Sequence, residues 1–213
     1  LSVIEAHSVP NARPFVRIHQ IDASTACENA GKRLISESEW LQLARNIEGV
    51  GWNWSSGEVG VGNMSDGHSD NSPSNSLTAS TDNDPCYGTG NTCDLEIWHN
   101  QRRVYMLSNG EYIWDLGGNV TNWTSGQISN NNPFVNPVSS WQACDNLGLQ
   151  GDYRCGNTLP TNDRIYGGDT TALRGFRRGG YWSNGGTIAG AFYLDLYHSP
   201  TSTFTAGGFR CAR

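Results

Sequence analysis

Cysteine and histidine give this chain of 213 residues its most direct routes to metal or redox chemistry. The cysteines are Cys27, Cys86, Cys93, Cys144, Cys155 and Cys211. No Cys-x-x-Cys pair occurs, so a zinc ribbon is a poor reading. An even count with two short spacings reads as disulfide chemistry. Cys86–Cys93 and Cys144–Cys155 would each close a small loop, and Cys27–Cys211 would then tie the two ends together. Other connectivities remain formally open. Disulfides imply life outside a reducing cytosol, or a thermophilic source. The histidines His7, His19, His68, His99 and His198 are scattered. A lone histidine is more often a surface or hydrogen-bonded residue than a ligand, and no catalytic constellation emerges.

A second kind of chemistry, recognition, is written in the closing stretch "AGAFYLDLYHSPTSTFTAGGFRCAR". Phe192, Leu194 and Leu196 alternate with Tyr193 and Asp195, as in a strand with one buried and one solvated face. The expected outward residues, Tyr193, Asp195 and Tyr197, run on into His198, Ser202 and Phe204. This aromatic mixture suits a contact surface, because tyrosine offers area and a hydroxyl at low rotamer cost.

The elements that must position these residues are short. Twenty-six glycines, eight tryptophans and only 16% charged residues describe a loop-rich fold pinned by aromatics. That many aromatics rules out disorder. A net charge of −6 and a sequence pI near 5.3 argue against nucleic acid or an anionic membrane as partner. No apolar run approaches the ~20 residues of a membrane span, and no signal peptide is visible. Phe15–His19 reads as a strand. Asp22 or Ser24 can cap a first helix through Ala26, Cys27 and Ala30, with Gly31 as its stop. Ser36 and Glu39 stand in capping-box relation before a second helix whose apolar face is Trp40, Leu41, Leu43, Ala44 and Ile47, ended by Gly49. Residues 50–100 read as long ordered loops. Val104–Leu107, Asn109-Gly110 and Tyr112–Trp114 form a hairpin. Residues 125–170 are again loop-like, and short strands follow to Arg213. No linker or repeat interrupts the chain, so residues 1–213 read as one domain.

Four landmarks, "ACENAGKRLISESEWLQLAR", "NGEYIWDLGGNVTNWT", "RRGGYW" and "GGFRCAR", occur in this order. They resemble those of the formylglycine-generating-enzyme (sulfatase-modifying factor) superfamily. The resemblance implies an α+β, C-type lectin-like fold of that subtype, with two short helices, short antiparallel strands and long ordered loops. It also supports Cys27–Cys211, because such folds tie the first helix to the last strand. Oxidase members carry two copper-binding cysteines after the "RGG" landmark, whereas Tyr181–Ala206 contains no cysteine here. A soft metal needs soft ligands, so the fold is implied without the oxidase machinery. The iron-binding sulfoxide-synthase branch needs a histidine grouping that these scattered histidines do not form.

The segment "RRGGYWSNGGTIAGAFYLDLYHSPTSTFTAGGFRCAR" further resembles the variable region of proteins diversified by retroelements. There, adenine-directed mutagenesis of Asn-type codons yields Tyr, Ser, Thr, Ile, His, Asp, Phe or Ala, but never Lys, Glu, Gln, Met or Trp. From Tyr181 to Ala206 there is no Lys, Glu, Gln or Met, and the single Trp182 reads as scaffold. Within a variable region of about 178–213, the resemblance implies eleven ligand-binding positions: Tyr181, Ser183, Asn184, Ile188, Tyr193, Asp195, Tyr197, His198, Ser202, Phe204 and Ala206.

"DLGGNVTNW" resembles a calcium-binding segment of the oxidases. Carried over, Asp115 and Asn122 would ligate through side chains, and Gly118 and Val120 through carbonyls, the hard oxygen donors that Ca2+ prefers. "GNMSDG", with Asn63 and Asp66, would be a vestige of another such site. The sequons at Asn53, Asn63, Asn119 and Asn122 are read as ordinary polar positions. The expectation is a non-enzymatic display protein, extracellular, on a cell surface or on a virion. It would bind a protein or glycan on another surface, with no cofactor required beyond calcium. The alternatives are an oxidoreductase with a relocated active site and a structural surface module.

Overall fold

The computed structural model describes residues 12–79, 84–129, 141–143, 164–166, 172–185 and 188–213. Among these residues are two α-helices, a 3-10 turn and ten short strands. Helix α1 (Gln20–Asn29) starts earlier than expected, because the His19 ring nitrogen, not Asp22 or Ser24, caps it by accepting from Asp22 N–H. Gly31 follows the helix end at φ +67°, the left-handed conformation a stop requires. Helix α2 (Glu37–Glu48) has the full Ser36/Glu39 capping box. Trp40, Leu41, Ala44 and Ile47 are buried from it, as the 3.6-residue spacing demands.

These side chains seed the larger core, with Trp54, Met64, Tyr105, Leu116, Ala191 and Phe192. Trp40 Nε1–H donates to the Ala191 carbonyl at 2.8 Å and so ties α2 to the C-terminal stretch. A smaller core joins Ile18, Ala23, Cys27, Leu34 and Trp123, with Phe209 and Cys211 against it. Strand β1 (Arg33–Leu34) pairs with β10 (Cys211–Ala212), and the Cys27–Cys211 disulfide staples α1 to that pair. Cys86–Cys93 is also formed. Cys144 and Cys155 lie outside the described residues.

The hairpin is β2 (Val104–Met106) and β3 (Tyr112–Trp114). The remaining strands make one mixed sheet in the order β5-β6-β8-β7-β4-β9. They are β4 (Thr121–Ile128), β5 (Trp141–Ala143), β6 (Arg164–Tyr166), β7 (Arg174–Arg178), β8 (Leu194–Asp195) and β9 (Gly207–Phe209). β4–β9 and β6–β8 are parallel, the other pairs antiparallel. The architecture is α+β, with long ordered loops between small sheets.

Two expectations differ from the structure. Phe15–His19 is not a strand, because Arg17 sits at φ +61° and breaks the extension while its N–H donates to Phe204 O. The closing strand is only Leu194–Asp195, and its alternation does not mark a solvated face. Every residue from Ala191 to Leu196 is buried. β8 lies between β6 and β7, inside the sheet, and both its faces are covered.

Candidate ligand-binding face

Two consecutive arginines of β7 organise this region. Side chains alternate across a strand, so Arg177 and Arg178 face opposite sides, and both are almost wholly buried. Arg178 serves the core. Its Nε donates to Glu37 Oε1 at 2.7 Å, its Nη2 contacts the same oxygen, and its Nη1 donates to Phe192 O at 2.9 Å. Arg177 serves the other side. Its Nη2 contacts both Asp195 Oδ2 and His198 Nδ1, while Asp195 Oδ1 accepts the Tyr197 N–H at 2.8 Å. One buried ion pair thus fixes the backbone of Tyr197 and the ring of His198.

Burial opposes ionisation of Asp195, but Arg177, His198 and the Tyr197 N–H outweigh it and hold the carboxyl below the usual range. Tyr193, 1% exposed, lies beside Asp195, and burial followed by that carboxylate pushes its phenol well above the ordinary value. The Nε and Nη1 donors of Arg177 have no hydrogen-bond partner among the described residues. A buried donor left unpaired costs on the order of 1–3 kcal/mol. The guanidinium instead lies 4.9 Å from the Phe204 ring centroid and 5.4 Å from that of Trp123, contacts that offset its charge but supply no lone pair.

Above this node runs a continuous series of rings. Tyr166 meets Tyr197 at 5.4 Å, Tyr197 meets His198 at 5.1 Å, and His198 meets Phe204 at 6.0 Å. Phe204 meets Tyr181 at 5.0 Å, and Tyr181 meets Trp182 at 5.8 Å. Most of these contacts are edge-to-face, the arrangement that ring quadrupoles favour. Tyr197 is 48% exposed, and Tyr181, Trp182, His198 and Phe204 are half-buried. The Arg174 guanidinium lies 5.9 Å from the Tyr197 ring and donates to the Tyr197 carbonyl.

The eleven expected binding positions therefore divide. Tyr181, Ser183, Ile188, Tyr197, His198, Ser202 and Phe204 all reach the surface. Asn184, Tyr193, Asp195 and Ala206 do not. The outward orientation expected for Tyr193 and Asp195 is corrected: they form the buried floor, because the Arg177 side chain and the His198 ring close over the Asp195 carboxylate, and Tyr193 lies against it. Asn184 locks a turn, its Oδ1 accepting the Tyr181 N–H at 2.7 Å and its carbonyl accepting from Asp70 N–H. Ala206 is fully buried, and its carbonyl takes both the N–H and the hydroxyl of Thr121. Arg177 escaped the reading of the residues. The signal available was the doubled arginine before "GGYW", since adjacent strand positions face opposite sides and a charge buried on either side must find a partner.

The two glycines of that landmark set the turn onto the face. Gly179 has φ +89°, and a Cβ there would lie 2.6 Å from the Leu116 carbonyl. Its own carbonyl accepts Gly118 N–H at 2.6 Å, which joins this turn to the segment expected to hold calcium.

That segment is organised around a cation of the chain itself. Arg103 Nε donates to Asp115 Oδ1 at 2.8 Å and its Nη2 to Oδ2 at 2.7 Å, while Asn119 Nδ2 donates to Oδ2 at 3.0 Å. Asn122 directs its amide to the Val120 carbonyl at 3.0 Å. The donors expected of Asp115, Gly118, Val120 and Asn122 do not fit a bound calcium ion, because a guanidinium takes the carboxylate and a side-chain amide takes a carbonyl. In "GNMSDG", Asp66 is buried and accepts from Asn100 Nδ2 at 2.8 Å. Among the described residues no three His, Cys, Asp or Glu side chains group as a metal site. The sequon asparagines Asn53, Asn119 and Asn122 are buried, as core and turn residues are.

Disulfides within the fold fit an oxidising environment, and no helix among the described residues is long and apolar enough to cross a membrane. No curated protein matches the chain significantly. Residues 4–213 match the sulfatase-modifying factor enzyme 1-like domain, so the chain belongs to the sulfatase-modifying factor (FGE-sulfatase) family.

Proposed function

We propose that the chain is a non-enzymatic binding protein with a C-type lectin-like fold, and that its ligand contacts the aromatic rim formed by Tyr181, Tyr197, His198 and Phe204. The observation that carries the reading is the division of labour on β7 and β8. Exposed, chemically mixed side chains stand on the turn and loop segments, while a buried Arg177–Asp195 pair and the Phe192 and Leu194 core contacts hold the frame beneath them. A surface built this way tolerates changes at the rim without touching the core. The absence of any cysteine from Tyr181 to Ala206 favours binding over the oxidase chemistry of the superfamily. The rim residues are also all reachable by adenine-directed change at Asn codons, which supports diversification by a retroelement. The place of action is extracellular, on a cell surface or virion.

The test is to sequence this gene and its flanks across a population of its source. The reading expects substitutions concentrated at Tyr181, Ser183, Ile188, Tyr197, His198, Ser202 and Phe204, with a template repeat and a reverse transcriptase gene nearby. An invariant 181–206 segment with neither neighbour overturns diversification.

A further inference from the structure

We infer that Arg177 is a carboxylate-reading subsite beneath the rim, and that the face takes an acidic side chain or chain terminus of a partner protein with apolar atoms around it. This rests on the reading of the face as ligand-binding and deepens it. Arg177 is 2% exposed, and its Nε–H and Nη1–H bonds meet no acceptor among the described residues. Only Nη2 is engaged, on Asp195 and His198. Native proteins rarely leave buried donors unpaired, and a site that awaits a partner is one reason they do.

The lid over these donors is the rim itself. The Phe204 ring lies 4.9 Å above the guanidinium, and Phe204 and His198 belong to the same surface loop. A shift of the Phe204 side chain exposes Arg177 to an incoming group. A planar guanidinium flanked by rings selects a planar anion, so a carboxylate fits, while a cation meets Arg177 as a like charge. The rings around the opening favour apolar atoms next to that carboxylate. An acidic sugar surrounds its carboxylate with hydroxyls, whereas a ring-lined opening favours apolar neighbours, which favours a protein over a glycan.

The test uses the full chain labelled with 15N and titrated with phenylacetate, phenylacetamide, phenethylamine and glucuronate. The Arg177 Nε–H signal, assigned by its loss in Arg177→Lys, is followed together with the rim tyrosines. Phenylacetate is expected to shift the Arg177 signal saturably, with a Kd on the order of 1–10 mM, the range open to a ligand of this size. Phenethylamine should leave it unmoved. Arg177→Lys should weaken phenylacetate binding roughly tenfold, because the fork of donors is lost.

An unmoved Arg177 signal, or equal shifts with phenylacetate and phenylacetamide, overturns the subsite. If phenylacetamide moves Tyr181 and Tyr197 while no ligand moves Arg177, the carboxylate subsite is wrong and the ligand-binding face stands. Tighter binding of glucuronate than of phenylacetate overturns the protein partner in favour of an acidic glycan.

Discussion

Removing the Asp195 carboxylate is the sharpest perturbation of the frame beneath the face. Asp195→Ala leaves Arg177 charged and buried, with only the His198 ring nitrogen still at its Nη2 and with Phe204 and Trp123 beside it. It also strips the acceptor from the Tyr197 N–H. Truncating one partner of a buried ion pair costs about 3–5 kcal/mol. The remaining ring contacts and the half-exposed His198 place this case near the lower end, at about 3 kcal/mol. Arg177→Met should cost a similar amount, because it strands the carboxylate. The double variant Arg177→Met/Asp195→Leu removes both charges and keeps volume, which often comes out neutral. Guanidinium chloride unfolding of the wild type, Arg177→Met, Asp195→Leu and the double variant, followed by tryptophan fluorescence, gives the cycle, with Asp195→Ala measured beside it. With the double variant near wild-type stability, it should fall short of the ~6 kcal/mol sum of the singles by most of that amount. Single variants that each lose less than ~1 kcal/mol and add simply would refute the idea that this pair holds the frame.

Two further outcomes follow from other parts of the frame. The Cys27–Cys211 disulfide spans 184 residues, so replacing both cysteines with alanine should lower stability by about 5 kcal/mol on the chain-entropy estimate, measured by the same unfolding assay. Stability should also fall in acid. Arg33, with help from Ser36, holds Glu39 down to about 2, and Asp195 also lies below its ordinary value. For carboxyls depressed in the folded state, the stabilisation is complete above the unfolded pKa and lost as pH falls through the folded one, here from about pH 5 down to about pH 2. Thermal melts across that range should show the decline, and Asp195→Asn should flatten part of it. A slope unchanged by Asp195→Asn would show that the buried carboxyl is not in the linkage.

Much of this fold was legible because local chemistry and global packing agree. The Ser36/Glu39 box, the helical spacing from Trp40 to Ile47 and the Asn109-Gly110 turn each act within a few residues. Each formed as read. Cys27–Cys211 was legible through its place in the landmark order. The face was legible in composition but not in depth. Alternation from Phe192 to Leu196 has the same period whether the second side meets water or other side chains, and here Arg177 and His198 supply that cover. Tyr193 and Asp195 therefore became floor rather than rim. The surroundings of the segment expected to hold calcium were hidden in a similar way. The oxygen donors of Asp115–Asn122 are present in the sequence, but Arg103 reaches them from twelve residues upstream in the chain. Only the three-dimensional arrangement shows that a guanidinium has taken the carboxylate.

The central claim is that a variable rim stands on an invariant buried floor and that the rim binds. It is tested most directly by displaying two libraries of this chain on cells. One randomises Tyr181, Ser183, Ile188, Tyr197, His198, Ser202 and Phe204, and the other randomises Asn184, Tyr193, Asp195 and Ala206. The measurement is the fraction of clones that resist protease and, among them, the fraction captured by a panel of purified proteins. The account predicts that most rim clones stay folded and yield binders, while most floor clones are degraded. A rim library that unfolds as readily as the floor library, or that stays folded and yields no binder, would contradict it.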